Sequence, residues 1–288
     1  MRKCPYCDSS GKLKIHVYGR SYGRCSACDL IYQDQPATSE EVLATYRGEY
    51  FNTCGIDQVG GSRDILYDRI LDILEKKRGI GSLLDVGTGC GHFIVRARQK
   101  GWRAKGVEPS SDAIHASAGE GLDIFYGTLQ EYVKNDPFDV ITLINVLDHC
   151  AAPWHEIRRV RELLKPGGIV FLRIPNGFLH YHIFRAASAG GFGSRVQRYL
   201  IFHQYSFTPR FIKKLLKESG FSKISIFNSK PSGGDPHRLF SNPVIAQSIK
   251  DLMYYFSELI RTGSLNKLLL GTSLELVATK EDAACPSK

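Results

Sequence analysis

The segment Leu83-Leu-Asp-Val-Gly87-Thr-Gly89-Cys-Gly91-His-Phe93 restricts what this chain can fold into more than any other. A short apolar run feeds three glycines at alternate positions, and a helical pattern follows at once. Glycine lets a backbone turn tightly and approach a ligand closely. A helix start also leaves N–H groups without intrahelical partners. Such a strand–loop–helix junction suits a nucleotide-like ligand. Dinucleotide-binding proteins use a similar loop with GxGxxG spacing, whereas the spacing here is GxGxG.

The junction begins a strand–helix alternation. Strands are predicted at 82–86, 103–107, 122–125, 138–144 and 169–174, and helices at 92–100, 111–118 and 153–164. The almost uniformly apolar run 138–144 is expected of a strand covered on both faces, and Lys165-Pro-Gly-Gly168 reads as a tight turn. This rhythm specifies a parallel, doubly wound α/β sheet. A helix over 62–77, stopped by Gly79, precedes it. Helices over 209–219 and 243–261 and strands over 223–227 and 273–278 follow it. Residues 176–205 show no clean periodicity. In 243–261, Ile245, Ile249, Leu252, Phe256 and Leu259 form an apolar stripe expected to face the core. Thr38-Ser-Glu-Glu41 is a capping box that opens a short helix.

Eight cysteines occur in the 288 residues, four of them in two pairs, Cys4-Pro-Tyr-Cys7 and Cys25-Ser-Ala-Cys28, with 17 residues between. Two such knuckles complete a tetrahedron, so a structural zinc ribbon is expected; a redox CxxC pair is the alternative. Cys54, Cys90, Cys150 and Cys285 read as free thiols. No run is apolar enough to cross a membrane and no secretory signal opens the chain, so a cytoplasmic location is expected.

The net charge of +9 is unevenly spread. Residues 163–217 contain nine basic side chains and no acid, which suggests an anionic partner. A solvated basic face is the other reading. Glu108 ends the second strand, 17 residues past Gly91. An acid there accepts hydrogen bonds from ribose hydroxyls, or is a surface residue of the Pro109-Ser110 turn.

In order, Leu84-Asp-Val-Gly-Thr-Gly-Cys-Gly91, Val107-Glu-Pro-Ser110, Phe138-Asp-Val-Ile-Thr-Leu-Ile-Asn-Val-Leu-Asp-His149 and Leu164-Lys-Pro-Gly-Gly168 resemble the successive motifs of class I S-adenosylmethionine-dependent methyltransferases. The resemblance implies a Rossmann-like sheet of seven strands, mostly parallel, whose last strand is antiparallel and falls at 273–278. It also implies S-adenosylmethionine as cofactor. Gly87, Gly89 and Gly91 would hold its methionine part, Glu108 its ribose, Gly127, Thr128 and Leu129 its adenine, and Asn145 would lie under the sulfonium. Asp85 would order the glycine loop, and Thr88, Phe93, Pro109 and Val146 complete the expected cofactor-binding set. Many relatives carry Glu where this chain has Asp148, before His149. The ribbon with Tyr46-Arg-Gly-Glu-Tyr50-Phe resembles the N-terminal part of methyltransferases found with sugar and lipid biosynthesis.

The expected organisation is a zinc ribbon (1–35), a helical linker or lid (36–80), the methyltransferase domain (81–280, with substrate-side insertions at 176–206 and 229–272) and a disordered tail (281–288). Deleting the ribbon is expected to spare cofactor binding. His149, just past the fourth strand, is the candidate catalytic base or substrate contact; a structural histidine at a helix start is the alternative. His180, Tyr181, His182 and His203, read singly, are packing. The expected acceptor is a small anionic molecule, a saccharide, lipid or related metabolite, with Arg173, Arg185, Arg195 and Arg198 facing its phosphate. The aromatic–basic mixture of this stretch is also compatible with peripheral membrane contact. Ribosomal or transfer RNA methylation is the second reading, nucleic acid being the less expected partner, and a non-enzymatic cofactor-binding protein is the third.

Overall fold

The computed structural model describes residues 3–47, 63–117, 121–133, 136–231 and 242–281. Cys54, Cys285, residues 48–51 of the Tyr46–Phe51 motif and the tail beyond Glu281 lie outside them.

Seven strands form one sheet: β4 (Ser82–Val86), β5 (Arg103–Glu108), β6 (Ile124–Tyr126), β7 (Phe138–Ile144), β8 (Leu164–Pro175), β10 (Phe221–Asn228) and β11 (Ser273–Lys280), in the order β10-β11-β8-β7-β4-β5-β6. β11 runs antiparallel between β10 and β8, while β8, β7, β4, β5 and β6 are parallel. Consecutive strand residues point to opposite faces, and both faces are covered here. Leu83, Val140, Phe171 and Val277 pack with Leu66, Ile70 and Leu74 of α2 (Asp64–Arg78) and Ile94 of α3 (His92–Gln99). Their neighbours Leu84, Ile141, Leu172 and Leu276 pack with Ile157 of α5 (Pro153–Leu163) and Ile212 of α8 (Pro209–Glu218). That is why these strands read as unbroken apolar runs.

A second sheet, β1 (Gly11–Val17), β2 (Arg20–Cys25), β3 (Ile31–Gln33) and β9 (Tyr205–Ser206), carries the cysteine module. Its fourth strand comes from the far side of the chain, through Ile31 opposite Ser206 and Tyr32 opposite Tyr205. Leu30 and Tyr32 share the main core with Phe207 and Phe211. On the other side Ile15, Val17 and Tyr22 pack with Tyr181 and Phe184. The module is therefore built into the larger domain on two faces, contrary to the expectation that it is dispensable.

Three local expectations are corrected. Residues 177–189 are helix α6, capped by the Asn176 side chain, which accepts from the Leu179 N–H at 3.3 Å. His180, Tyr181 and Phe184 are buried while Leu179 and Ile183 face a cavity, so apolar residues surround the helix and no one-sided stripe marks it. Lys165–Gly168 is not a turn ahead of the strand. β8 begins at Leu164 opposite Phe138, bulges with Gly167 at φ 66°, and regains register at Ile169 opposite Val140. Finally, α9 (Pro243–Gly263) does not turn its stripe to the core: Leu252 and Leu259 are each 70% exposed, with Ile245 and Phe256 also outward. The sheet face beneath is already filled, so only Ile249 and its neighbours touch the domain. No helix of the described residues is long and apolar enough to cross a membrane.

Candidate active site

The parallel strands β4, β5 and β7 end along one sheet edge, where ligands of open α/β sheets bind. After β4 the chain turns through Gly87, Gly89 and Gly91, all at positive φ (67°, 58° and 86°). The loop is tied to the end of β5, because the Gly87 and Thr88 N–H groups both donate to the Val107 carbonyl, at 2.8 and 3.2 Å. A Cβ on Gly87 would lie 2.5 Å from Val146 Cγ2, so only glycine keeps this floor open. Beneath it Asp85 is buried and accepts from the Thr142 hydroxyl at 2.6 Å.

Glu108 is buried at the end of β5. Its carboxylate accepts from the Gly89 N–H at 2.7 Å and the Ser110 N–H at 2.9 Å, bracing the glycine loop against the next turn. Burial raises its carboxyl above the usual range, and those two N–H groups oppose the rise. The Gly127 N–H donates to the Glu108 carbonyl at 3.0 Å, and Thr128 and Glu131 close the next turn as a small capping box.

Past β7, Asn145 adopts a left-handed conformation (φ 58°) and accepts from Arg173 through its side chain at 2.5 Å. A 3-10 turn, Leu147–His149, follows. It places Asp148 inward, 2% exposed, and His149 toward open space. The Tyr46 hydroxyl of α1 (Ser39–Arg47) meets His149 Nδ1 at 2.6 Å. His203 comes from the segment before β9, its ring centroid 4.0 Å from that of His149. Burial and the neighbouring His149 push His203 down to about 4, against the attraction of Asp148. Burial likewise lowers His180 to about 4, although its Nε2 meets the Thr272 carbonyl at 3.0 Å.

These groups line one continuous cavity of about 1400 Å³. Of the residues singled out from sequence, Gly87, Gly89, Glu108, Pro109, Gly127, Thr128, Leu129, Asn145, Val146 and His149 reach its wall. Asp85, Thr88 and Gly91 lie behind it. Phe93 is turned away: it sits on the face of α3 that packs against α2, 5.3 Å from the Tyr67 ring centroid. Of the four arginines, Arg173 reaches the wall, buried and lowered to about 10 by desolvation. Arg185, Arg195 and Arg198 lie over the rings of Tyr181, Phe192 and Tyr199 instead. The wall also takes Ile249, Met253 and Tyr254 from α9, Leu179 and Ile183 from α6, and Tyr18 from the hairpin of the cysteine module. The Tyr18 hydroxyl donates to the Gln197 carbonyl at 2.6 Å. Nothing local in the sequence marks these walls, because they depend on long-range packing.

A family model described as a methyltransferase domain matches residues 61–226, more than half of the chain. The chain belongs to the methyltransferase-domain family. The match does not include the cysteine module. Among its relatives, the ubiquinone biosynthesis O-methyltransferase of Caulobacter vibrioides is 33% identical over 103 residues, 33% of this chain and 41% of that protein. The protein of the same name from Aliivibrio fischeri is 24% identical over 168 residues, 55% of this chain and 72% of that protein. The chain thus spans about two fifths to three quarters of the length of these curated relatives. Among solved structures, magnesium protoporphyrin IX methyltransferase of Synechocystis aligns with a TM-score of 0.55 at 12% identity, covering 85% of this chain and all of that one. A SAM-dependent methyltransferase of Archaeoglobus fulgidus aligns with 0.50 at 17%, covering 76% and 94%. These likenesses show the Rossmann-like methyltransferase fold.

The four module cysteines also converge. Cys4 Sγ lies 3.6 Å from Cys28 Sγ, and Cys7 Sγ lies 3.5 Å from Cys25 Sγ. Each pair closes a knuckle: the Asp8 N–H donates to the Cys4 carbonyl at 2.9 Å and the Asp29 N–H to the Cys25 carbonyl at 3.1 Å. Asp8 and Asp29 take the left-handed conformation that ends each knuckle. The thiols are free, and four sulfurs at these separations fit a tetrahedral metal with bonds of about 2.3 Å.

Proposed function

We propose that this chain binds S-adenosylmethionine at the glycine-loop end of the cavity and methylates a hydroxyl of a small, anionic, largely apolar acceptor held at the His149 end. The observation that carries the reading is the cavity itself. Single-ligand pockets span roughly 300–1,000 Å³, so about 1400 Å³ accommodates two molecules side by side. One end has the glycine floor, Glu108 and the turn at Gly127–Leu129; the other has His149, His203 and Arg173.

Bound there, S-adenosylmethionine supplies the methyl group. Gly87 and Gly89 hold its amino-acid part against bare backbone, Glu108 offers acceptors to its ribose, and Asn145 lies beneath the transfer position. Asn145 is held by Arg173, itself braced by a hydrogen bond to the Ser229 hydroxyl at 2.9 Å. Enclosure by Leu179, Ile183 and Met253 excludes water and favours an apolar acceptor body, while Arg173 supplies positive charge. The relatives named O-methyltransferases support an oxygen acceptor. The outward apolar face of α9, which continues from the cavity wall at Met253, supports a lipid-linked acceptor met at a membrane surface. A zinc ion held by Cys4, Cys7, Cys25 and Cys28 would fix the hairpin that carries Tyr18 to the cavity.

The test is methyl incorporation from labelled S-adenosylmethionine into fractionated cell extract. Label is expected in the lipid or small-molecule fraction. Label confined to RNA, or tight NAD binding with none for S-adenosylhomocysteine by calorimetry, would overturn the reading.

A further inference from the structure

We infer that Asp148, His149 and His203 form a second metal site, in the acceptor end of the cavity, for a divalent cation that accepts nitrogen and oxygen donors. Asp148 Oδ2 lies 3.3 Å from His203 Nε2 and 3.7 Å from His149 Nε2, and the three donor atoms all fall within 4.8 Å of one another. These distances look like hydrogen bonds at first sight, but they are not. Both Asp148 carboxylate oxygens are buried and accept no hydrogen bond among the described residues, although the side chain is 2% exposed. A buried carboxylate with no donor is costly and calls for a partner.

A tetrahedral ion with bonds of about 2.0–2.2 Å sets its donors roughly 3.3–3.5 Å apart without any bond between them. The cysteine module shows the same signature, four sulfurs at non-bonded separations around a common centre. Two imidazoles and one carboxylate are a donor set suited to Zn²⁺, Co²⁺ or Fe²⁺. The Tyr46 hydroxyl on His149 Nδ1 is the outer partner that metal-bound histidines usually have, and it directs Nε2 toward Asp148.

Three protein donors leave coordination positions open. All three residues line the cavity, so the open side faces it. An acceptor hydroxyl bound there would lose its proton to water, the O–H electron pair staying on the oxygen, because a bound cation strongly lowers the acidity constant of such a group. This last step rests on the proposed methyl transfer; binding of the ion does not.

The experiment is a Co²⁺ titration of the full chain after chelator treatment, with metal counted by elemental analysis and the spectrum recorded. The expected result is two equivalents per chain. One shows the intense sulfur-to-cobalt charge-transfer band of the cysteine module, and the other shows only weak visible bands. His203→Phe and Asp148→Asn should each remove the second equivalent and leave the sulfur band unchanged. A single equivalent in the unaltered chain overturns the site, as does a second equivalent that survives both substitutions. Calorimetry with S-adenosylhomocysteine on the same samples keeps the two ideas apart. Loss of cofactor binding with two cobalt equivalents would sink the methyltransferase reading and leave the metal site standing.

Discussion

The Tyr46 hydroxyl meets His149 Nδ1 at 2.6 Å and is the polar anchor of α1, a helix that buries none of its own residues, over the acceptor end of the cavity. A net hydrogen bond is worth about 1 kcal/mol. Tyr46→Phe should lower turnover about five- to tenfold, because His149 loses its orienting partner. Affinity for S-adenosylhomocysteine should stay unchanged, since Tyr46 is remote from the glycine loop. Steady-state kinetics beside calorimetry check this, and an equal loss in both would refute it.

Glu108 joins the two halves of the cofactor end, accepting from Gly89 and Ser110. Glu108→Ala removes both acceptors and leaves buried N–H groups unpaired, each costing about 1–3 kcal/mol. Binding of S-adenosylhomocysteine should weaken at least tenfold. Glu108→Gln should recover part of the stability but less of the affinity. A calorimetric dissociation constant unchanged in the alanine variant would remove Glu108 from the site.

The cysteine module should not be removable without consequence. Its strand β3 pairs with β9, and its Leu30 and Tyr32 share the main core. Cys28→Ser should release the metal held by sulfur and lower the melting temperature of the whole chain in one transition. A variant that keeps the melting temperature after losing the metal would show that the module folds separately.

Asp85 predicts a dependence of stability on pH. Burial pushes its carboxyl up to about 7, the Thr142 hydroxyl opposing, against about 3.9 in an unfolded chain. A raised folded value means that the folded state holds the proton more tightly. The contribution is complete below about pH 4 and is lost as pH rises through about 7. Asp85→Asn, which cannot ionise, should therefore gain melting temperature relative to the unaltered chain at pH 8 and gain little at pH 4. Parallel shifts at both pH values would contradict the assignment.

The outward stripe of α9 predicts membrane contact. Its two acids are already engaged, Asp251 by Gln247 at 3.2 Å and Glu258 by Arg261 at 2.7 Å, which leaves an apolar face beside the cavity mouth. Sedimentation with anionic phospholipid vesicles should retain the chain. Leu252→Ser with Phe256→Ser should release it, with no change in melting temperature because both side chains are exposed. Equal sedimentation of the variant would locate any lipid contact elsewhere.

The sheet was legible because its determinants are local. The apolar runs at Leu83–Leu84 and Val140–Ile141 bury both of their faces, and the glycines at 87, 89 and 91 are needed wherever a chain turns at positive φ. The same locality made the cysteine knuckles readable, each pair closing within four residues. Helix α6 was not legible, since its sides meet the cysteine module, the core and the cavity, and no period survives. Phe93 misled because helix phase, rather than closeness to the glycine loop, sets its direction.

Spacing alone therefore determined the strand–loop–helix units, the order of the sheet-forming segments and the two CxxC knuckles, since each depends on contacts a few residues apart. Tertiary structure decided the rest. It brought His203 to Asp148 across 55 positions in the chain, carried Tyr18 from the module to the cavity rim, and left the stripe of α9 in the open. Such placements depend on which surfaces remain uncovered once the core is filled, and no short stretch of sequence encodes that.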